Sequence, residues 1–250
     1  NINKIKGIEM KKIIITLTLL VFSTMSAHAL DRSSFSALSV TGGIAATQGL
    51  FGAKATETNR SDTNVITHVK SENGVFTDTY TSGFIELNMG QWVSVGYEHT
   101  PDSITTPTNS SRESSINTGP TSNVSVDFND MDTLYIKLNL GQSGFFGKFG
   151  QVKTDATVKK TGNSTSTYNN FDLEGSVVGI GYENSIRDSR IGIRFETSYM
   201  DFDNPKSSSN GVAADGATVA NGGQNIINAK NVEGLQGKVA LTLTLGRDSN

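Results

Sequence analysis

Several short segments of this sequence alternate between apolar and polar residues, and one or two of the polar residues in each segment are charged. In an extended segment every second side chain points to the same face, so each charge lies on the face opposite to the apolar residues. A common interior lined by these charges predicts a network of ion pairs, with Glu183 as a further member near one rim. The alternative is a narrow or gated path for ions. Four bases and three acids form the set: Glu86, Glu98, Lys137, Lys148, Arg194, Glu196 and Lys238.

Two histidines, His68 and His99, are the candidates for catalysis. Hydrolytic or acyl-transfer chemistry of this kind needs a histidine beside a serine or an acid. Glu98 and Asp102 are close to His99 in the sequence, but simple alternation directs His99 outward and no His-x-Ser motif accompanies it. We therefore predict that the protein is not an enzyme.

Metal and cofactor sites have little support in the composition. The chain has no cysteine, which excludes disulfides, thiolate catalysis and zinc–cysteine sites. Its net charge of −3 gives no support for a nucleic-acid-binding surface. Two acidic runs lack the spacing of an EF-hand and are better explained as solvated strand ends. These runs are Asp127, Asp130 and Asp132, and Asp201 with Asp203. We predict no cofactor and no metal.

The N-terminal part has the features of an export signal. Met10-Lys11-Lys12 is a basic start, and the apolar run from Ile13 to Met25 is shorter than the ~20 residues of a membrane-spanning helix. Ala27-His28-Ala29 then fits the small-x-small cleavage pattern. We therefore predict an upstream or non-native extension at residues 1–9, a signal peptide at residues 10–29 and an exported domain at residues 30–250.

The exported part alternates between apolar and polar residues with a period of two, which is typical of β-strands whose two faces meet different surroundings. From Leu134 to Leu140, for example, aliphatic residues alternate with Tyr135, Lys137 and Asn139. The pattern predicts eight strands, at residues 35–50, 74–89, 93–100, 123–140, 145–157, 171–183, 191–202 and 231–245.

Long and short connections alternate along the chain. A meander with its long loops at one end and its tight turns at the other is typical of an outer-membrane barrel. Lipid cannot satisfy the charged face, so that face must point into the barrel. We therefore predict an all-β fold, an eight-stranded antiparallel up-and-down transmembrane β-barrel. Its long external loops are predicted at 51–73, 101–122, 158–170 and 203–230, and its short turns at 90–92, 141–144 and 184–190.

The short turns agree with this arrangement of faces. Met89 and Val93 both face lipid across a three-residue turn, whereas Leu140 and Phe145 do so across a four-residue turn. The second register places Lys137 and Lys148 directly opposite each other, where they repel unless acids intervene. The aromatic residues predicted at the lipid face are Tyr97, Phe149, Tyr182, Phe195 and Tyr199.

Five segments, together with the predicted signal peptide, carry a resemblance to a known family: Leu134–Leu140, Gly147–Gly150, Gly179–Glu183, Ile191–Glu196 and Val239–Leu245. In their pattern the chain resembles the small bacterial outer-membrane β-barrels of the OmpA-transmembrane-domain, OmpX and Opa-like group. The resemblance implies a location in the outer membrane of a Gram-negative cell. It also implies contact with outer-membrane lipid and lipopolysaccharide, and insertion by the barrel assembly machinery.

The interior of an eight-stranded barrel is just wide enough for side chains to fill it, so the predicted ion pairs are expected to plug the lumen. We therefore predict a structural or surface-interaction protein whose external loops contact a surface ligand or a phage. Two alternatives stay open at this stage. One is a small porin-like channel for ions or small solutes, and the other is a lipid-modifying outer-membrane enzyme.

Overall fold

The computed structural model describes residues 38–60, 66–112, 121–162, 168–186, 189–208 and 226–246. The predicted signal peptide and the extension before it lie outside the described residues. Within those six ranges no helix has the length and apolar character needed to cross a membrane. The described chain forms strands β1 (Leu38–Arg60), β2 (Ile66–Met89), β3 (Val93–Thr100), β4 (Ile104–Thr105), β5 (Asn109–Arg112), β6 (Thr121–Asn139), β7 (Phe145–Gly162), β8 (Phe171–Ser185), β9 (Ile191–Phe202), β10 (Lys206–Ser208) and β11 (Ile226–Leu245).

Eight long strands form one closed antiparallel ring in the order β1-β2-β3-β6-β7-β8-β9-β11. The ring closes because β11 pairs back with β1, from Val40 opposite Leu245 to Thr58 opposite Ile226. The short strands β4 and β5 pair with β6, and β10 pairs with β11. The predicted all-β up-and-down barrel of eight antiparallel strands is confirmed.

The tight turns at one end of the ring depend on glycine. Gly90, Gly141 and Gly144 have φ values of 67°, 60° and 80°, in the left-handed region that residues with a Cβ rarely adopt. The backbone nitrogen of Leu140 donates to the carbonyl of Phe145 at 2.9 Å and closes the second turn. Both hairpins therefore have the predicted registers, and the lysines at 137 and 148 are cross-strand partners.

The outer face of the ring carries a continuous apolar belt. Its side chains are about half exposed, for example Ile180 at 66%, Phe145 at 56% and Leu241 at 50%. On β11 the belt extends from Leu235 to Leu245, which is about 34 Å along the strand and roughly 25 Å in height at the ~45° tilt of barrel strands. An exposed apolar surface of this extent and height is suited to lipid and not to water.

Polar and charged side chains end the belt on the side away from the tight turns. Lys153 lies opposite Asp132 on one neighbouring strand and opposite Glu174 on the other. Further around the ring, Asp201 lies opposite Glu233. All five side chains share the outward face of their strands with the belt residues. Their level marks the point where the wall leaves the apolar layer.

The strands continue beyond this level and form a region that we call the crown. It comprises the outer parts of the strands at residues 53–60, 66–78, 104–105, 109–112, 121–131, 155–162, 206–208 and 226–231. The strand ends predicted from the sequence therefore stop too early, and most of the predicted connection at 51–73 is a β-hairpin. Strands also enter the predicted connections at 101–122, 158–170 and 203–230. Contacts between polar side chains support this pairing, such as Thr56 Oγ1 to Ser71 Oγ at 2.9 Å.

Candidate functional site: the barrel interior

The interior near the tight turns holds an ion cluster of two acids and two bases. The two terminal nitrogens of Arg194 each donate to one oxygen of Glu86 at 2.7 Å, in the bidentate geometry that favours arginine–carboxylate pairs. Arg194 also donates to Glu183 at 2.7 Å. Lys137 donates to both carboxylates, at 2.7 Å and 3.0 Å. We call these four residues the inner cluster, and Glu183 is a full member of it.

A second cluster of the same composition lies farther along the barrel. Lys148 donates to Glu98 at 3.0 Å and to Glu196 at 2.9 Å. Lys238 donates to Glu98 and lies 3.8 Å from Glu196. Ser82 adds a hydrogen bond to Glu98 at 2.7 Å. We call the four charged residues the middle cluster, so the seven predicted lumen residues and Glu183 divide between two neutral groups.

The division into two clusters explains how the facing lysines coexist. Lys137 contacts the acids of the inner cluster, and Lys148 contacts those of the middle cluster. The ring of Tyr135 lies between the two levels, because its hydroxyl donates to Glu86 at 2.8 Å and its ring centre is 4.1 Å from the Lys148 nitrogen. Gly96 allows this placement, since a Cβ there would lie 2.3 Å from the tyrosine ring.

Neutral polar side chains occupy the next level of the interior. The hydroxyl of Tyr80 donates to Gln236 at 2.5 Å, and the amide nitrogen of Gln236 donates to Ser198 at 2.7 Å. Thr47 lies directly opposite Lys238 and Tyr80 on the neighbouring strands. Its buried hydroxyl has no hydrogen-bond partner among the described residues. This level separates the ionic half of the lumen from an apolar half.

An apolar plug fills the interior at the base of the crown. Ile104 enters it from the connection after β3 and is 2% exposed. This plug was not predicted from the sequence, although the sequence contains a signal for it. On β9 the inward series that includes Arg194 and Glu196 continues with Met200 and Phe202. The plug consists of Phe51, Tyr80, Ile104, Met131, Val152, Leu173, Val177, Met200, Phe202 and Val232.

The candidate catalytic residues lie apart from this interior. His99 faces outward, as predicted, and its Nδ1 is 2.8 Å from Asp132, which also accepts a hydrogen bond from Tyr97 at 2.6 Å. Asp102 contacts Thr81 and not His99. The side chain of His68 lies outside the described part of the chain.

The two acidic runs do not come together in the structure. Asp127 accepts a hydrogen bond from Thr105 at 3.0 Å and pairs with Lys159. The run at residues 127–132 is on β6 and that at 201–203 lies at the end of β9, and these strands are not neighbours in the ring. Among the described residues no group of three or more His, Cys, Asp or Glu side chains could hold a metal ion.

No protein-family model matches the sequence, and no curated protein matches it. Three outer-membrane proteins of known structure are similar to it in fold. OprG from Pseudomonas aeruginosa is 10% identical, with 82% of this chain and 96% of OprG covered and a TM-score of 0.47. The protease OmpT from Escherichia coli is 10% identical, with 82% and 97% covered and a TM-score of 0.41. Ail, the attachment invasion locus protein of Yersinia pestis, is 7% identical, with 80% and 99% covered and a TM-score of 0.34.

Similarities at this level of identity assign no function to the chain. Its own geometry defines its class. A closed ring of eight antiparallel strands, with an apolar belt of bilayer height outside and compensated charges inside, is the architecture of a bacterial outer-membrane β-barrel.

Proposed function

We propose that this outer-membrane barrel has a closed lumen and acts as a surface-interaction protein through its crown. The observation that carries the proposal is the filling of the lumen by two neutral ion clusters and an apolar plug at successive levels. Membership of the OmpA, OmpX and Opa-like group stays a prediction. Contact with lipopolysaccharide and insertion by the barrel assembly machinery are parts of the same proposal.

The ion clusters oppose conduction because their charges are fully engaged. Each cluster contains two carboxylates and two cations, and most of these side chains are less than 5% exposed. A permeating ion would have to separate pairs that lie out of contact with water, and breaking a buried pair costs about 3–5 kcal/mol. The apolar plug adds a second barrier, because an ion passing it would lose its hydration shell.

Conductance of the refolded protein in planar bilayers tests the closed lumen. We expect no steady conductance above the leak of the bilayer, with a porin of known conductance as the positive control in the same membranes. Open-channel steps of porin size would contradict the proposal and favour the porin-like alternative.

A shortened hairpin tests the role of the crown. The variant joins Thr56 to Ser71 through a tight turn and removes residues 57–70, while leaving the belt and both ion clusters intact. We expect normal folding in detergent and loss of any surface activity that the parent shows, such as adhesion or phage reception. A variant that folds and keeps the full activity would place the function elsewhere.

The proposal also assigns no catalytic role to His99. Its contacts within the described residues are with Asp132 on the outer wall, and the hydrogen bonds of Asp132 come from Tyr97 and His99. Serine is absent from this group, so a nucleophile for acyl transfer is lacking there. A His99→Ala variant should keep the surface activity of the parent. Release of fatty acid or peptide by the parent and not by H99A would favour the enzyme alternative instead.

A further inference from the structure

The wall of the crown is interrupted along one edge of β2. Pairing between β2 and β3 ends at Gly83 opposite His99, and from there toward Ile66 the strand β2 pairs only with β1 among the described residues. On the other side, β4 and β5 pair with β6. The strands β2, β1, β11 and β10 therefore lie on one side of the interruption, and β4, β5, β6 and β7 lie on the other. We call the gap between β2 and β4–β5 the seam.

Among the described residues, side-chain hydrogen bonds bridge the seam at its base. Asp102 accepts hydrogen bonds from the backbone nitrogen and the hydroxyl of Thr81, both at 2.7 Å. Asp78 accepts a longer one from the backbone nitrogen of Thr105 at 3.4 Å. Beyond Asp78, the described part of the chain supplies no strand partner to this edge of β2. The edge is therefore a template for another strand.

The backbone orientation of this edge is fixed by regular pairing. The backbone nitrogen of Thr81 points across the seam, and the pairing of β2 with β1 is regular from His68 to Met89. Every second residue therefore presents its backbone groups to the seam, Ser71 among them. The outward side chains along this edge are uncharged and exposed, as at Val69, Asn73 and Val75. The described edge from residue 66 to 78 has no proline, and its outward face has no charge to block an approaching strand.

Two charges on the opposite face of the edge make it complementary to itself. Lys70 and Glu72 lie on either side of Ser71, with the lysine nitrogen 2.6 Å from the carboxylate and both side chains about one-third exposed. In an antiparallel pair of two copies centred on Ser71, each Lys70 lies directly opposite the Glu72 of the other copy. Residues in that position form a non-hydrogen-bonded pair, whose side chains approach most closely.

We propose that the crown edge of β2 pairs with the same edge of a second copy of this chain, in antiparallel register centred on Ser71. The inference rests on the proposed function and names the partner of the crown. The β2-β1-β11-β10 strands of one copy and those of the other then form one continuous sheet. Two Lys70–Glu72 pairs, each between the two copies, fix the register.

The symmetry of this pairing determines where the second copy is. The two-fold axis of an antiparallel strand pair is perpendicular to the sheet, and a barrel wall stands upright in its membrane. The axis therefore lies in the membrane plane and inverts the direction of the barrel. The two copies are consequently in two apposed membranes, so the contact holds surfaces together.

Two populations of proteoliposomes with different dyes, each carrying the refolded protein, test this pairing. We expect mixed-colour clusters for the wild type. Lys70→Glu places four acids around the contact, and Glu72→Lys places four bases there. The number of mixed-colour clusters should therefore fall at least tenfold for each variant alone, compared with the wild type. Vesicles of K70E mixed with vesicles of E72K should cluster again, because each acid then faces a base. The double variant K70E/E72K should also cluster.

Lys54→Glu is the matched control, because Lys54 is an exposed base on the adjacent strand β1 of the same sheet and lies away from the edge. K54E should cluster as the wild type does. Absence of clustering by the wild type, clustering by K70E alone, or no recovery in the K70E and E72K mixture would overturn the inference. Heat-modifiable migration verifies that each variant is folded. Because conductance and the shortened hairpin test the proposed function independently, its failure is distinguishable from failure of the self-pairing.

Discussion

Glu98 accepts hydrogen bonds from three side chains inside the barrel: Lys148, Lys238 and Ser82. Glu98→Ala leaves two buried lysines to share one carboxylate, that of Glu196. We expect the variant to lose about 3–5 kcal/mol of stability, the usual cost of removing one partner from a buried ion pair. Urea unfolding in detergent, followed by tryptophan fluorescence or gel migration, measures the loss. Ser82→Ala is the control and should cost about 1.5–3 kcal/mol, because it removes a single hydrogen bond to the charge.

Leu138 and Asn139 are neighbours with opposite surroundings. Leu138 is in the apolar belt and 42% exposed, whereas Asn139 shares the inward face of β6 with Lys137. Leu138→Arg should cost up to roughly 2–4 kcal/mol, the range for an arginine at the bilayer midplane, with a smaller cost toward the rim, and Asn139→Arg should cost less than Leu138→Arg. Unfolding in lipid vesicles compares the two variants. Equal losses, or a greater loss for N139R, would mean that the two faces of β6 are misassigned.

Alternation of residue types predicts which charges face the interior, and the structure describes most of those side chains as buried, but alternation does not predict which acid meets which base. The sequence placed Lys137 opposite Lys148, and that register is confirmed. It did not separate them into two clusters, because the separation depends on Glu86 and Glu196, which reach across the lumen from strands that do not carry these lysines. Contacts across a lumen are set by the closure and diameter of the ring, which no local pattern contains.

At the scale of elements, the connection after β3 is held to β2 by Asp102. The two hydrogen bonds from Thr81 hold the pKa of the Asp102 carboxyl below its ordinary value. The contact is therefore at full strength above the ordinary pKa of about 3.9 and is lost as the pH falls through the lowered value. NMR of the Thr81 amide should show a titration in that acidic range, and in Asp102→Asn it should disappear. A Thr81 amide insensitive to pH in the wild type would contradict the contact.

The ends of the strands were harder to predict than their existence. The belt portions of β2 and β6 alternate between lipid-facing and interior residues, so their pattern is strong. In the crown the side chains on both faces of β2 are exposed or partly exposed, as from Val69 to Asn73, and the apolar–polar alternation of the sequence disappears. Pairing persists there because Ile, Thr and Val favour extended backbone and because β1 and β2 are already aligned by the belt. The prediction therefore stopped near the edge of the apolar layer.

At the scale of the molecule, the apolar belt requires an apolar solvent. Purified residues 30–250 should refold into detergent micelles with a β-sheet circular dichroism spectrum, and unboiled samples should migrate differently from boiled ones on a gel. In plain buffer the same chain should aggregate, because the belt would be exposed to water. A compact monomer in buffer without detergent would contradict the membrane-spanning assignment.

The filling of the lumen was predicted only for its ionic half. The alternation pattern assigned apolar residues to lipid and charged residues to the interior, but even at the inner cluster Phe84 and Phe146 face inward, with their ring centres 4.5 Å and 5.3 Å from the Arg194 guanidinium. Toward the crown the same inward face carries Val152, Leu173 and Met200, which pack together and not against lipid. Apolar side chains are suited both to lipid and to an apolar interior. An apolar residue that faces the interior can therefore be recognised only because it lies an even number of positions from an inward-facing charge on the same strand.

The clusters join residues that are far apart along the chain, and this affects the order of assembly. Glu98 and Lys238 are separated by 140 residues, and Glu86 and Arg194 by 108. Until the last strand arrives, Glu98 lacks one of its two cations, and an open sheet inserted in lipid would expose these charges to hydrocarbon at a cost of several kcal/mol each. Partly inserted species are therefore high in free energy, so we expect insertion and ring closure to occur as one concerted step that is slow.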